Sequence, residues 1–263
     1  MADAGPDRAL VDAVAAIAAE AGALALSHWR TDFHRWEKAP NDPVSQVDLD
    51  VNMLLQARLT ALLPDAGWLS EETADNADRL ACGRVWVVDP IDGTRDYIRG
   101  RDGWAISVAL VENGRATIGV LDAPARGDIF RAALGQGATR NGVPVRVGNR
   151  AAFSGARVPT DGLPKVDSDL VVVAKPNSIA LRIAMVAADE ADLVATLRWG
   201  SEWDIAAAAL IAAEAGASVT DALGGKLAFN TPTAKAFGVL VTTPGIHAAA
   251  VERLRDRART LSA

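Results

Sequence analysis

The sequence predicts a mixed fold: an α+β half over residues 1–150, followed by an α/β half over residues 151–263. Three observations carry this. Two amphipathic helical segments open the chain. Apolar runs joined by Asn-Gly follow them. Beyond residue 168, short strands and helices alternate, the pattern of an α/β unit.

Residues 7–30 place Leu10, Val14, Ile17, Ala21, Leu24 and His28 three or four apart, which is one face of a helix. Residues 46–62 repeat the pattern through Val47, Val51, Leu54, Leu55 and Leu62, and Pro64 and Gly67 close it. Val85-Trp86-Val87-Val88 reads as a buried strand. It is expected to end at Asp89, because Pro90 has no amide for a ladder. The runs 105–111 and 116–121 flank Glu112-Asn113-Gly114-Arg115, a strong hairpin signal, and Asn141-Gly142 marks a second turn. Residues 150–168 are rich in Pro, Gly, Ser and Asp and set the boundary between the halves. After them the pattern predicts strand 169–174, helix 178–189, strand 192–197, helix 204–215, strands 217–221 and 237–242, and helix 244–259.

Composition narrows the function. Half of the 263 residues are apolar, enough for a substantial core. The net charge of -6 argues against binding a nucleic-acid polymer. It allows an anionic ligand if metal ions supply positive charge. Cys82 is the single cysteine, so no intrachain disulfide forms, which suits a reducing cytoplasm. His28, His34 and His247 form no zinc pattern. The start, Met1 to Asp7, has no basic secretory character. No run of about 18 apolar residues free of charges suggests a membrane span.

The chemistry concentrates in Asp89-Pro90-Ile91-Asp92-Gly93-Thr94. Two carboxylates three residues apart, in a turn at the mouth of a strand, repel unless a cation sits between them. Magnesium prefers such hard oxygen ligands. The Gly93 and Thr94 amides are placed to meet a phosphate. Glu71-Glu72 follows Trp68-Leu69-Ser70, Asp204 opens a helix after Ser201-Glu202-Trp203, and Asp48 lies early in the second helix. Alone, each of these acids reads more readily as a cap or a solvated charge, and their joint occurrence in one order is what is unusual.

Together, Trp86 to Thr94, Glu202-Trp203-Asp204-Ile205-Ala206-Ala207 with Glu214-Ala215-Gly216, Ser70-Glu71-Glu72 and Asp42-Pro43-Val44-Ser45 through Asp48 resemble the signatures of the inositol monophosphatase superfamily. The resemblance covers nearly the whole chain in the family's order. It implies a layered αβαβα sandwich and a magnesium-dependent phosphomonoesterase with two or three Mg2+ per site. It also implies a lithium-sensitive homodimer that acts on a small phosphorylated substrate. Carried over, Glu71, Asp89 and the Ile91 carbonyl hold one metal, and Asp89, Asp92 and Asp204 a second. Thr94 orients the attacking water, Asp48 accepts the Thr94 proton, and Glu71 polarises the same water. Phosphate rests on Gly93 and Thr94. Ser45 for a usual threonine, Ala208 for a frequent glycine and Asp189-Glu190 for a small-residue step depart from the pattern without removing a ligand.

Substrate choice turns on residues 195–200. Family members selective for inositol phosphates carry a glutamate there, whereas this chain has Arg198 in Arg-Trp-Gly, and Arg182 follows Leu181. Both steps resemble bacterial bisphosphate nucleotidases. Guanidinium forks suit a second phosphate, so the reading leans to a 3'(2'),5'-bisphosphate nucleotide. Inositol 1-phosphate, histidinol phosphate and a sugar bisphosphate are the alternatives, as is a scaffold that binds metal without turnover. A dehalogenase-type D-x-D-G-T site is disfavoured, because proline occupies its nucleophile position at 90. Of the seven tryptophans, Trp29 and Trp86 are expected in the core, while Trp199 and Trp203 are expected to flank the site.

Overall fold

A computed structural model describes residues 6–40 and 42–262, so most of the start read above, residues 1–5, lies outside the described residues. Helices α1 (Arg8–His28) and α2 (Gln46–Leu62) begin the chain, joined by a small hairpin of β1 (Arg35–Ala39) and β2 (Asp42–Ser45). A seven-stranded sheet follows in sequence order: β3 (Gly67–Ser70), β4 (Arg84–Asp92), β5 (Ala105–Glu112), β6 (Arg115–Ala123), β7 (Asp128–Ala133), β8 (Ala138–Arg140) and β9 (Val143–Pro144). Within this sheet only the β3–β4 pair is parallel. The short helix α3 (Thr94–Ile98) links β4 to β5. Then come β10 (Arg157–Pro159), β11 (Val171–Val173), α4 (Ile179–Ala187), β12 (Leu193–Ser201), α5 (Ala206–Glu214), β13 (Ser218–Thr220), β14 (Lys235–Thr242) and α6 (His247–Ser262).

The layers follow from side-chain alternation. On β4, Trp86 and Val88 face α1 and α2, in a core shared with Val14, Leu55 and Leu59. Val85 and Val87 face the other way, into a core shared with Ile183 of α4 and Ile211 of α5. A strand buried on both faces must read as a continuous apolar run. Helix α5 is apolar all round because it is packed between two sheets: Val239 and Val241 of β14 belong to the same core. Leu193 and Leu240 on the far face of the second sheet meet Ala250 and Leu254 of α6. The result is the expected α-β-α-β-α layering.

Several expectations are corrected. Strand β4 does not stop at Asp89. It runs to Asp92, and the register with β5 slips between Asp89↔Ser107 and Asp92↔Ala105. The irregularity absorbs the missing amide of Pro90 and lets the strand resume beyond it. In the second sheet β14 lies between β12 and β13 and is antiparallel to both, an arrangement the alternation of strands and helices left open. The predicted helix 204–215 begins at Ala206, which leaves Asp204 in the turn before it, and strand 192–197 extends to Ser201. The last helix starts at His247, after a 3-10 turn. By length and composition α1 does meet the requirement for a membrane span, despite Asp12 and Glu20. Here its face of Val14, Ala15, Ala18, Ala21 and Ala25 is buried in the core. The Asn-Gly hairpin is as expected: Asn113 and Gly114 both have positive φ, 50° and 79°.

Candidate active site

Four elements end at one cleft of about 310 Å3. Glu71 follows β3, Asp89 to Asp92 terminate β4, Asp204 precedes α5, and Asn177 to Arg182 open α4. The turn after β4 needs its glycine. Gly93 has φ 97°, and a Cβ there would lie 2.6 Å from the Gly103 carbonyl and 2.9 Å from the Ser178 amide.

Carboxylate oxygens of Glu71, Asp89 and Asp204 come within 4.8 Å of one another. Burial holds Asp89 well above the ordinary carboxylate range, and the charges of Glu71, Asp92, Asp204 and Asp48 push it further. Asp204 is raised for the same reasons, burial first and then Asp92 and Glu71. Without a cation this cluster must keep protons it would lose in water. Three hard oxygen donors, one wholly enclosed, are a donor set that fits a magnesium ion.

Asp92 lines the same cleft, but its oxygens turn to α4. Oδ2 accepts from Ser178 Oγ at 2.5 Å and from the Ala180 amide at 2.7 Å, and Oδ1 accepts from Ile179 N at 3.3 Å. Burial lifts its pKa to about 6 against those hydrogen bonds. It therefore pins the first turn of α4 to the end of β4.

Thr94 Oγ1 lies 3.0 Å from the Ile91 carbonyl and 3.2 Å from Asp48 Oδ1. Asp48 Oδ2 accepts from the Ser45 amide at 2.9 Å and the Ser45 hydroxyl at 2.5 Å, a capping box at the start of α2. Burial raises Asp48 to about 6, and these hydrogen bonds restrain the rise. So Asp48 caps its helix and also faces the site.

Arg182 is half-buried. Nε donates to the Pro176 carbonyl at 2.8 Å and an Nη to Asn177 O at 2.6 Å, which fixes the guanidinium at the cleft wall. Arg198 is exposed and lines the same cleft. Trp199 and Trp203 do not line it. Trp199 packs edge-on against Phe237, and Trp203 packs on the core between sheet and helices. Trp86 is fully buried, and Trp29 packs on the core beneath α1, as expected. Cys82 is a free, partly buried thiol.

The sequence reading missed Lys38 and Ser178. Lys38, on β1, bridges Glu71 at 3.0 Å and Glu72 at 2.7 Å. Burial pushes Glu72 up to about 7 despite that partner. The one sequence signal was the Glu71-Glu72 pair itself, two adjacent acids in want of a cation. Nothing in the local pattern pointed to Ser178, which lies 86 residues from Asp92.

A layered α+β chain with a carboxylate cluster where β3, β4 and the start of α5 converge is built as a metal-assisted hydrolase. Residues 7–261 match the inositol monophosphatase family, and the chain belongs to it. Members of this family are magnesium-dependent phosphatases of phosphomonoesters. A fructose-1,6-bisphosphatase/inositol-1-monophosphatase of Thermotoga maritima is 33% identical over 77% of this chain and 81% of its own. A histidinol-phosphatase of Chlorobaculum parvum is 32% identical over 79% and 84%. Among solved structures, an IMPase of Thermotoga maritima superposes with a TM-score of 0.81 at 27% identity, covering 95% of this chain and 98% of that one.

Proposed function

We propose that the chain hydrolyses a small phosphate monoester carrying a second anionic group, with a 3'(2'),5'-bisphosphate nucleotide as the favoured substrate. The observation that carries this reading is one cleft that holds Glu71, Asp89 and Asp204 within 4.8 Å together with Thr94, Arg182 and Arg198. Glu71, Asp89 and the Ile91 carbonyl would hold one magnesium ion, and Asp89, Asp92 and Asp204 would hold a second. When bound, magnesium neutralises the phosphate and acidifies water. Thr94 orients the attacking water, and Asp48 takes the Thr94 proton as the water loses one to that hydroxyl. Gly93 and Thr94 seat the phosphate. Arg182 and Arg198 take the second anionic group, because their forks match phosphate oxygens in pairs. The absence of a carboxylate from residues 195–200 disfavours a polyol that needs its hydroxyls bound there.

The test is phosphate release from adenosine 3',5'-bisphosphate, inositol 1-phosphate, fructose 1,6-bisphosphate and histidinol phosphate at one magnesium concentration. Adenosine 3',5'-bisphosphate is expected to show the highest kcat/KM. Asp89→Asn is expected to lower turnover of every ester at least about 100-fold, a loss of about 2.7 kcal/mol of transition-state stabilisation, with thermal stability kept. A variant that retained more than a few per cent of the wild-type rate would falsify the shared role of Asp89.

A further inference from the structure

Strands β10 and β11 pair in parallel, with Arg157 opposite Val171. A parallel pair needs a crossover, usually a helix of a dozen residues or more. Here residues 160–170 make the crossing with a single 3-10 turn, Lys165–Asp167. Val166, Val171 and Val172 are left exposed there. Beneath the crossover lies a cavity of about 220 Å3. Its walls include Val158, Leu163, Leu193 and Leu197, with Leu254 from α6.

This cavity adjoins the catalytic cleft. Ile179 and Arg182 line both. Thr196 lines the cavity and also a narrow slot beside Arg198 and Asp204. The cleft alone sits at the bottom of the roughly 300–1,000 Å3 usual for small-molecule sites, and the added cavity brings it well inside that range. The two spaces differ in chemistry. The cleft is walled by carboxylates and guanidiniums, whereas the cavity is walled mainly by aliphatic side chains, and of its charged wall groups Asp167 is paired with Arg257 and Lys175 with Asp161. Thr196 Oγ1 accepts from the Val239 amide at 3.0 Å, which leaves its own proton to donate. Thr160 Oγ1 already donates to the Gly162 carbonyl at 2.9 Å.

We propose that this cavity is the subsite for the alcohol part of the substrate and that it selects a flat, weakly polar ring over a polyol. The inference rests on the phosphatase reading above and names the substrate class of the same site. A phosphate held at the carboxylate cluster, with its ester oxygen directed past Ile179, places the alcohol against Leu163 and Leu193. With Lys175, Asp167 and Arg257 already paired, a hydroxyl on every carbon would lose its water there with few partners to gain. A ring buries its faces on the aliphatic walls and can take one hydrogen bond from Thr196.

Filling the cavity tests this. Ala195 on β12 lines it, as does Leu163 on the partly exposed crossover. Ala195→Phe and Leu163→Trp are compared with wild type on adenosine 3',5'-bisphosphate, inositol 1-phosphate and glycerol 2-phosphate, and melting temperature reports the fold. The expected result is a KM for the adenosine ester raised at least about tenfold, with kcat/KM for glycerol 2-phosphate within twofold of wild type. Leu163→Trp carries the test if Ala195→Phe does not fold. Equal losses on the ring ester and glycerol 2-phosphate, or an unchanged KM for the ring ester, would overturn the subsite. Wild-type turnover of inositol 1-phosphate but not the adenosine ester would overturn it too, and would leave the phosphatase reading standing. Failure to release phosphate from any ester with magnesium present would overturn both.

Discussion

The Thr94 hydroxyl has one proton and two acceptors within reach, the Ile91 carbonyl and Asp48. It can pass that proton on only while Asp48 is ionised. Burial sets the Asp48 pKa at about 6, and magnesium charge nearby lowers it, since cations favour the carboxylate form. The expected kcat/KM profile therefore has an acidic limb at or below about pH 6 and rises with pH through it. Thr94→Ala is expected to lower kcat by about 10²–10⁴ with magnesium affinity retained in calorimetry. Asp48→Asn is expected to erase the limb as well as slow the reaction, and an unshifted limb in that variant would assign it to another group. The acids themselves were legible in the sequence, because Asp89, Asp92 and Glu71 recur in a spaced order that has no use in a core. What they touch was not legible. The Lys38 bridge to Glu71 and Glu72 and the Ser178 bond to Asp92 exist only once the hairpin and α4 are folded against β4.

Elements were legible where local chemistry decides them. Asn113-Gly114 fixed a hairpin, and the apolar run of β4 fixed a buried strand. The sequence did not reveal how β4 passes Pro90, because a slipped register depends on the partner strand, β5. Nor did it reveal the parallel β10–β11 pair, which is only three residues long in each strand. Helix packing on the sheet hides a further device. Asp122 near the end of β6 meets α1 at Gly22, where a Cβ would lie 1.8 Å from Oδ2. Burial alone raises Asp122 from 3.8 to about 7. Between about pH 4 and 7 the folded chain keeps a proton there that the unfolded chain releases. Stability is therefore expected to fall as pH rises through that window, by at most about 1.4 kcal/mol per pH unit, and to level off above it. Asp122→Asn removes the ionisation at nearly constant shape. Urea unfolding at pH 5, 6.5 and 8 should show a flatter pH dependence for the variant, and matching slopes would remove Asp122 from this role.

At the scale of the molecule, the two halves separated by residues 150–168 are best read as one cooperative unit. The core under β4 to β8 includes Ile183 of α4, Ile211 of α5 and Val241 of β14, so neither half closes its own interior. Gly119 on β6 packs tightly against Ala207 on α5, where a Cβ on the glycine would stand 2.6 Å from the Ala207 carbonyl. That contact also sets the active site, because Asp204 lies just before α5 while Asp89 belongs to the sheet that carries Gly119. Gly119→Ala must push the helix and the sheet apart. Overpacking of this kind costs about 1–3 kcal/mol, and about 2–4 °C of Tm accompanies each kcal/mol in a chain near this size. If the halves are one unit, thermal unfolding stays a single transition at a lower Tm. Magnesium affinity measured by calorimetry well below that Tm falls with it, since Asp204 has moved relative to Glu71 and Asp89. Two separated transitions would show that the halves unfold independently. An unchanged magnesium affinity in the destabilised variant would show that the position of α5 does not set the distance across the carboxylate cluster.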